Sequence, residues 1–82
     1  MDSQAVLVTE RMTATDRKRF GRNVAKYRAR MKFTREELAE RTALDPRFIQ
    51  KLENGDSGAS MAVLQRLRRA LKTDWNELLA GL

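Results

Sequence analysis

Residues 17–35 carry nine cations, Arg17, Lys18, Arg19, Arg22, Lys26, Arg28, Arg30, Lys32 and Arg35, and no acid. The chemistry open to such a run is electrostatic: it attracts a polyanion, either nucleic acid or an anionic membrane surface. A solvated helix face accounts for the same charges in blander terms. Other reactive groups are scarce. The 82-residue chain has no Cys and no His, so disulfides, thiolate metal sites, the usual zinc ligands and the commonest general base are absent. The carboxylates Glu36, Glu37 and Glu40 stand beside cations in a helix-capping and solubility pattern. There is no Gly-rich phosphate loop, nucleophile motif or metal-ligand spacing. An enzyme is not expected, and no catalytic residue, metal or cofactor is implied.

These charges need elements to hold them. With 41% hydrophobic and 34% charged residues, one Pro and four Gly, the composition suits a single compact helical domain with one modest core. The net charge is +6. No apolar run approaches the ~20 residues that span a bilayer. Met1-Asp2-Ser3-Gln4 lacks the basic start of a secretory signal, so a soluble, cytoplasmic protein is expected. Residues 1–15 read as an N-terminal arm, separate from a domain over 16–82. Within the arm, Ala5-Val6-Leu7-Val8-Thr9 is short, apolar and β-prone. It fits a tail, a strand pairing with its copy, or a partner-binding segment.

Five short helices are predicted. The first runs from a cap at Asp16 to about Met31, with Phe20, Val24, Tyr27 and Met31 on one stripe. Thr34-Arg35-Glu36-Glu37 is a capping box that opens the second, which ends near Arg41. In the third, Asp45 caps, Pro46 fills the first helical position, Ile49 and Leu52 face the core, and Asn54-Gly55 stops. Ser60 caps the fourth, whose Met61, Leu64, Leu67 and Leu71 keep a helical period. Asp74-Trp75-Asn76-Glu77 resembles a further capping box opening the fifth. The expected fold is all-α. The three or so residues between the second and third helices force a steep crossing, so the third helix projects.

Four strings in order, Thr34-x-x-Glu37-Leu38-Ala39, Leu44-Asp45, Phe48-Ile49-x-x-Leu52-Glu53-Asn54-Gly55 and Leu71-(x)6-Leu78-Leu79, resemble the Cro/repressor-type (XRE) helix-turn-helix family over roughly residues 18–80. The resemblance implies a five-helix domain of the phage-repressor type that binds DNA as a dimer, its third helix in the major groove. It implies base-reading positions at Asp45, Pro46, Arg47, Phe48, Gln50 and Lys51. There Arg47 suits guanine, Gln50 adenine, Lys51 guanine or phosphate, and Phe48 a thymine methyl. Arg35 is implied as a phosphate anchor, with Thr34, Asn54 and Arg22 as further phosphate candidates. Arg28 and Glu53 match the family's structural ion pair. Three departures stand out: Ala43 where the family turn has Gly, Thr42 where it has an apolar residue, and Pro46 at an often base-contacting position.

The expected function is a sequence-specific DNA-binding transcriptional regulator, a repressor or autoregulatory controller on a pseudo-palindromic operator. Its partner is double-stranded DNA, which places it with the nucleoid. A homodimer is expected through Trp75, Leu78, Leu79 and Leu82, more apolar surface than so small a domain easily buries. The alternative is an antitoxin-like or adaptor protein whose arm binds a protein partner. RNA binding lacks sheet-borne aromatic platforms. A membrane role for the first helix conflicts with the core's need for its apolar stripe.

Overall fold

The computed structural model describes residues 12–82, so the apolar segment of the arm lies outside the described residues. Five helices follow one another, with no strand among the described residues. They are α1 (Ala14–Arg30), α2 (Arg35–Thr42), α3 (Pro46–Asn54), α4 (Met61–Leu71) and α5 (Trp75–Leu78). None of them is long and apolar enough to cross a membrane.

Local chemistry sets each helix start. Thr34 and Glu37 satisfy each other's amides, as do Asp74 and Glu77, in full capping boxes. Asp45 accepts from the amide of Arg47 at 2.8 Å, and Ser60 accepts from that of Val63 at 3.3 Å. α1 begins earlier than expected. Its cap is Thr13, whose hydroxyl accepts from the Asp16 amide at 3.0 Å, while Asp16 sits inside the first turn. There its carboxylate favours the positive end of the helix dipole, a role a cap and a first-turn acid share.

Four helices end alike. Lys32, Ala43, Gly55 and Lys72 each adopt a left-handed backbone, with φ of 61°, 57°, 79° and 55°. The following amide then donates five residues back: Phe33 to Arg28, Leu44 to Ala39, Asp56 to Lys51 and Thr73 to Arg68, at 2.9–3.2 Å. This is the turn in which orphan carbonyls of the last helical residues find donors. The departure at Ala43 is therefore real strain: an L side chain occupies a conformation that suits glycine, at about 1 kcal/mol. Thr42, the other departure, is buried. Its hydroxyl donates to the carbonyl of Leu38 at 2.7 Å, so the polar group in an apolar slot is satisfied within its own helix.

Phe20, Val24, Leu38, Ile49, Leu52, Leu67 and Leu78 are fully buried and form one core with Tyr27, Ala39 and Leu71. Leu78 is thus committed to the protomer's own core. At 0% exposure it is not available as the dimer contact expected of it. Gly21, on the α1 face that meets α3, makes a contact the sequence did not disclose. A Cβ there would collide with the Leu52 carbonyl oxygen and lie 2.8 Å from that of Glu53. α1 therefore rests backbone to backbone on the last turn of α3.

Candidate nucleic-acid interface

On α3 the inward residues Ile49 and Leu52 are fully buried, and Phe48 is half-buried against the core's edge. Opposite them, Arg47, Gln50, Lys51 and Asn54 are all exposed. Their spacing of i, i+3, i+4 and i+7 makes one continuous outward stripe. Pro46 and Asp45 are exposed at its N-terminal end. Every residue expected to read bases is thus on one short helix or, for Asp45, at its N-cap, and only Phe48 divides its surface between core and exterior.

The first turn of this helix has an ion pair. Asp45 Oδ1 accepts from Arg47 Nε at 3.4 Å, and Oδ2 accepts from Nη2 at 3.2 Å. Both side chains are largely exposed, 51% and 87%. The Arg47 side chain, and then its backbone amide, hold the Asp45 carboxyl below the usual carboxylate range. In return Asp45 raises the guanidinium of Arg47 further.

A second group of charges lies inside the domain. Glu53, at 3% side-chain exposure, accepts from Arg28 Nε at 2.6 Å and Nη2 at 3.1 Å. It also accepts from Arg35 Nε at 2.9 Å. Arg28 spends its remaining edge on the Phe33 carbonyl at 2.9 Å. The Glu53 hydrogen bond raises the Arg28 guanidinium while burial opposes it. The expected Arg28–Glu53 pair is therefore present, and Arg35 makes it a triad. That link ties the start of α2 to the end of α3. Arg35 remains 42% exposed, and its Nη groups are not used by Glu53.

The run of nine cations divides on inspection. Arg17 donates to the carbonyls of Gly55 and Met12, and Arg19 to that of Gly81 at 2.7 Å. With Arg28 these are structural donors. Lys26 and Arg30 lie over the Tyr27 ring, 5.3 and 4.8 Å from its centroid. Arg22 is exposed without a hydrogen-bond or salt-bridge partner among the described residues. Asn23, passed over in the sequence, donates to the carbonyls of Leu78 and Ala80 at 2.9 and 3.0 Å and so caps the end of α5 from α1. Beyond the core, Trp75 and Leu82 are 38% and 46% exposed, while Leu79 is half-buried. Arg68 stacks on Trp75 at 5.2 Å.

Two short helices joined by a tight turn, with a polar outward stripe on the second, are the architecture of helix-turn-helix proteins. The helix-turn-helix family model matches residues 24–78, and the chain belongs to this family. Its class is the DNA-binding transcription regulator, whose partner is double-stranded DNA. Among solved structures the chain is similar to the restriction-modification controller protein C.AhdI from Aeromonas hydrophila, at 26% identity and a TM-score of 0.74. That similarity covers 78% of this chain and 97% of the controller. No curated protein matches the chain.

Proposed function

We propose that the protein is a sequence-specific controller of transcription that binds a pseudo-palindromic operator as a homodimer, with α3 in the major groove. The observation that carries this reading is the stripe of Arg47, Gln50, Lys51 and Asn54 on a helix whose other face is locked into the core. A rigid helix bearing fork-shaped and amide donors is what base edges in that groove require. Arg47 reads guanine, Gln50 adenine, and Lys51 guanine or phosphate. Pro46 and Phe48 offer apolar contact, Phe48 to a thymine methyl.

Phosphate anchoring falls to Arg35, Thr34, Arg22 and Asn54. For Arg35 the support is specific: Glu53 holds its Nε, which fixes the side chain and leaves the Nη groups for a phosphate. One short helix reads too few base pairs to define a genomic site, and two copies about one turn apart repair that. Trp75, Leu79 and Leu82 are the surface we assign to the two-fold contact. The likeness to a restriction-modification controller supports an autoregulatory role.

The test is selection of bound duplexes from a random library, followed by a salt series on the selected site. Arg35→Ala is expected to weaken every duplex alike and lower the salt slope by about one counterion. Arg47→Ala is expected to cost ~1–3 kcal/mol on the selected site and much less on random DNA. Equal losses on all duplexes for Arg47, Gln50 and Lys51 variants would refute base reading by α3.

A further inference from the structure

The family resemblance places Asp45 among the base-reading positions, but its geometry gives it different work. A carboxylate is a poor neighbour for DNA, because it faces the phosphates with a like charge. Yet Asp45 is exposed at the head of the recognition helix, and both of its oxygens are directed at Arg47. A guanidinium has five N–H donors in a fixed plane. Asp45 takes the edge formed by Nε and Nη2. Of the three N–H groups that remain, two form the end-on edge, one from each of Nη1 and Nη2, held in the plane set by the carboxylate.

We propose that Asp45 is a positioning residue for specificity: it clamps Arg47 so that the end-on guanidinium edge meets guanine O6 and N7, and it penalises binding wherever that guanine is missing. The inference rests on the proposed base-reading role of α3 and adds the residue that sharpens it. Two effects act together. Arg47 is a long, exposed side chain, and fixing its plane before binding removes much of the rotamer freedom that a bidentate contact otherwise costs. The carboxylate's charge, meanwhile, weakens attachment to any sequence. Only a guanine in register compensates for that repulsion. Asp45 therefore lowers affinity for random DNA while raising discrimination, opposite directions that a purely structural residue would not produce.

Its other role, capping α3 through the Arg47 amide, is separable. Asn caps as well as Asp, so Asp45→Asn keeps the helix start and removes the charge and the strong half of the clamp. The experiment measures wild type, Asp45→Asn, Arg47→Ala and the double variant on the selected operator, on each single-base-pair substitution of it, and on random duplex. Thermal melts confirm that each variant is folded.

For Asp45→Asn the expected result is a ~10-fold fall in preference at one guanine per half-site, about 1.4 kcal/mol, with tighter binding to random duplex. The guanine is the same one whose preference Arg47→Ala abolishes, and the double variant loses no more selectivity there than Arg47→Ala alone. Three results overturn the inference and leave the proposed function standing. Asp45→Asn keeps its guanine preference undiminished; it loses preference at a base pair that Arg47→Ala does not touch; or it weakens all duplexes in parallel. If wild type selects no sequence at all, the proposed function falls, and this inference with it.

Discussion

Glu53→Gln removes the one carboxylate that two arginines share, and its cost can be worked from the triad. Glu53 is 3% exposed, Arg28 19% and Arg35 42%. Removing one partner of a buried pair costs about 3–5 kcal/mol, because the stranded charge has given up its water. Arg28 is not sealed, and water reaching it brings its share to the lower end, about 3 kcal/mol. Arg35 sits near the surface, where a pair is worth about 0.5 kcal/mol. The sum is dominated by Arg28. In a domain this small each kcal/mol moves the melting temperature by about 4–8 °C, so the total of about 3.5 kcal/mol is expected to lower the Tm of Glu53→Gln by about 14–28 °C. The assay is thermal unfolding followed by circular dichroism, with Arg35→Ala as the comparison, expected to lower Tm by only a few degrees. Adding Arg28→Met to Glu53→Gln should recover part of the loss, since no guanidinium is then left facing a neutral amide. A Tm for Glu53→Gln within about 4 °C of wild type would refute the reasoning. So would an Arg35→Ala variant as unstable as Glu53→Gln, because the weight would then lie on the wrong arginine.

Gly21→Ala forces a methyl into the carbonyls of Leu52 and Glu53, and a loss of at least ~3 kcal/mol is expected in a denaturant titration. Loss of DNA binding should accompany it. Ala43→Gly relieves the left-handed turn between α2 and α3 and is expected to raise Tm by about 4–8 °C, with operator selectivity unchanged in the same duplex panel. Leu82→Lys places a charge on the exposed apolar end beside α5. Sedimentation should show weakened dimerisation without a change in fold, and an unaltered association constant would remove this surface from the interface.

Helix starts and stops were the most legible part of the sequence, because a cap and its amide are only two or three residues apart. Thr34–Glu37, Asp45–Pro46, Ser60 and Asp74–Glu77 all lie where local chemistry puts them. α1 shows the limit of such signals. Thr13 and Asp16 are both good caps, and the sequence does not say which of them leads and which sits in the first turn. The Arg28–Glu53 pair was legible only through resemblance, and the addition of Arg35 was not.

What went unread depends on distance across the fold. Gly21 gave a faint signal as a glycine inside a helical pattern, but its partner lies some thirty residues on. Asn23 gave none. Arg17 and Arg19 were indistinguishable by type from the cations beside them, though they serve carbonyls of this chain. Leu78 was expected at a dimer surface because counting apolar residues does not separate burial within a protomer from burial between two.

The main-chain contact at Gly21 bears on how such a protein is reprogrammed. Where two helices meet through side chains, a change of rotamer or a lost methylene lets the joint creep, and the angle between them drifts with sequence. Here the separation of α1 and the last turn of α3 is limited by carbonyl oxygens and an α-carbon, which have no rotamers to exchange. The joint behaves as a mechanical stop. Residues 47, 50 and 51, all exposed on the opposite face of α3, are then interchangeable heads on a fixed handle. On the base-reading role proposed for α3, substituting them should retune which bases are addressed while the cations on α1 keep their offset from α3. In engineering terms, the specificity proposed for this domain is modular, and the module boundary is the glycine contact between α1 and α3.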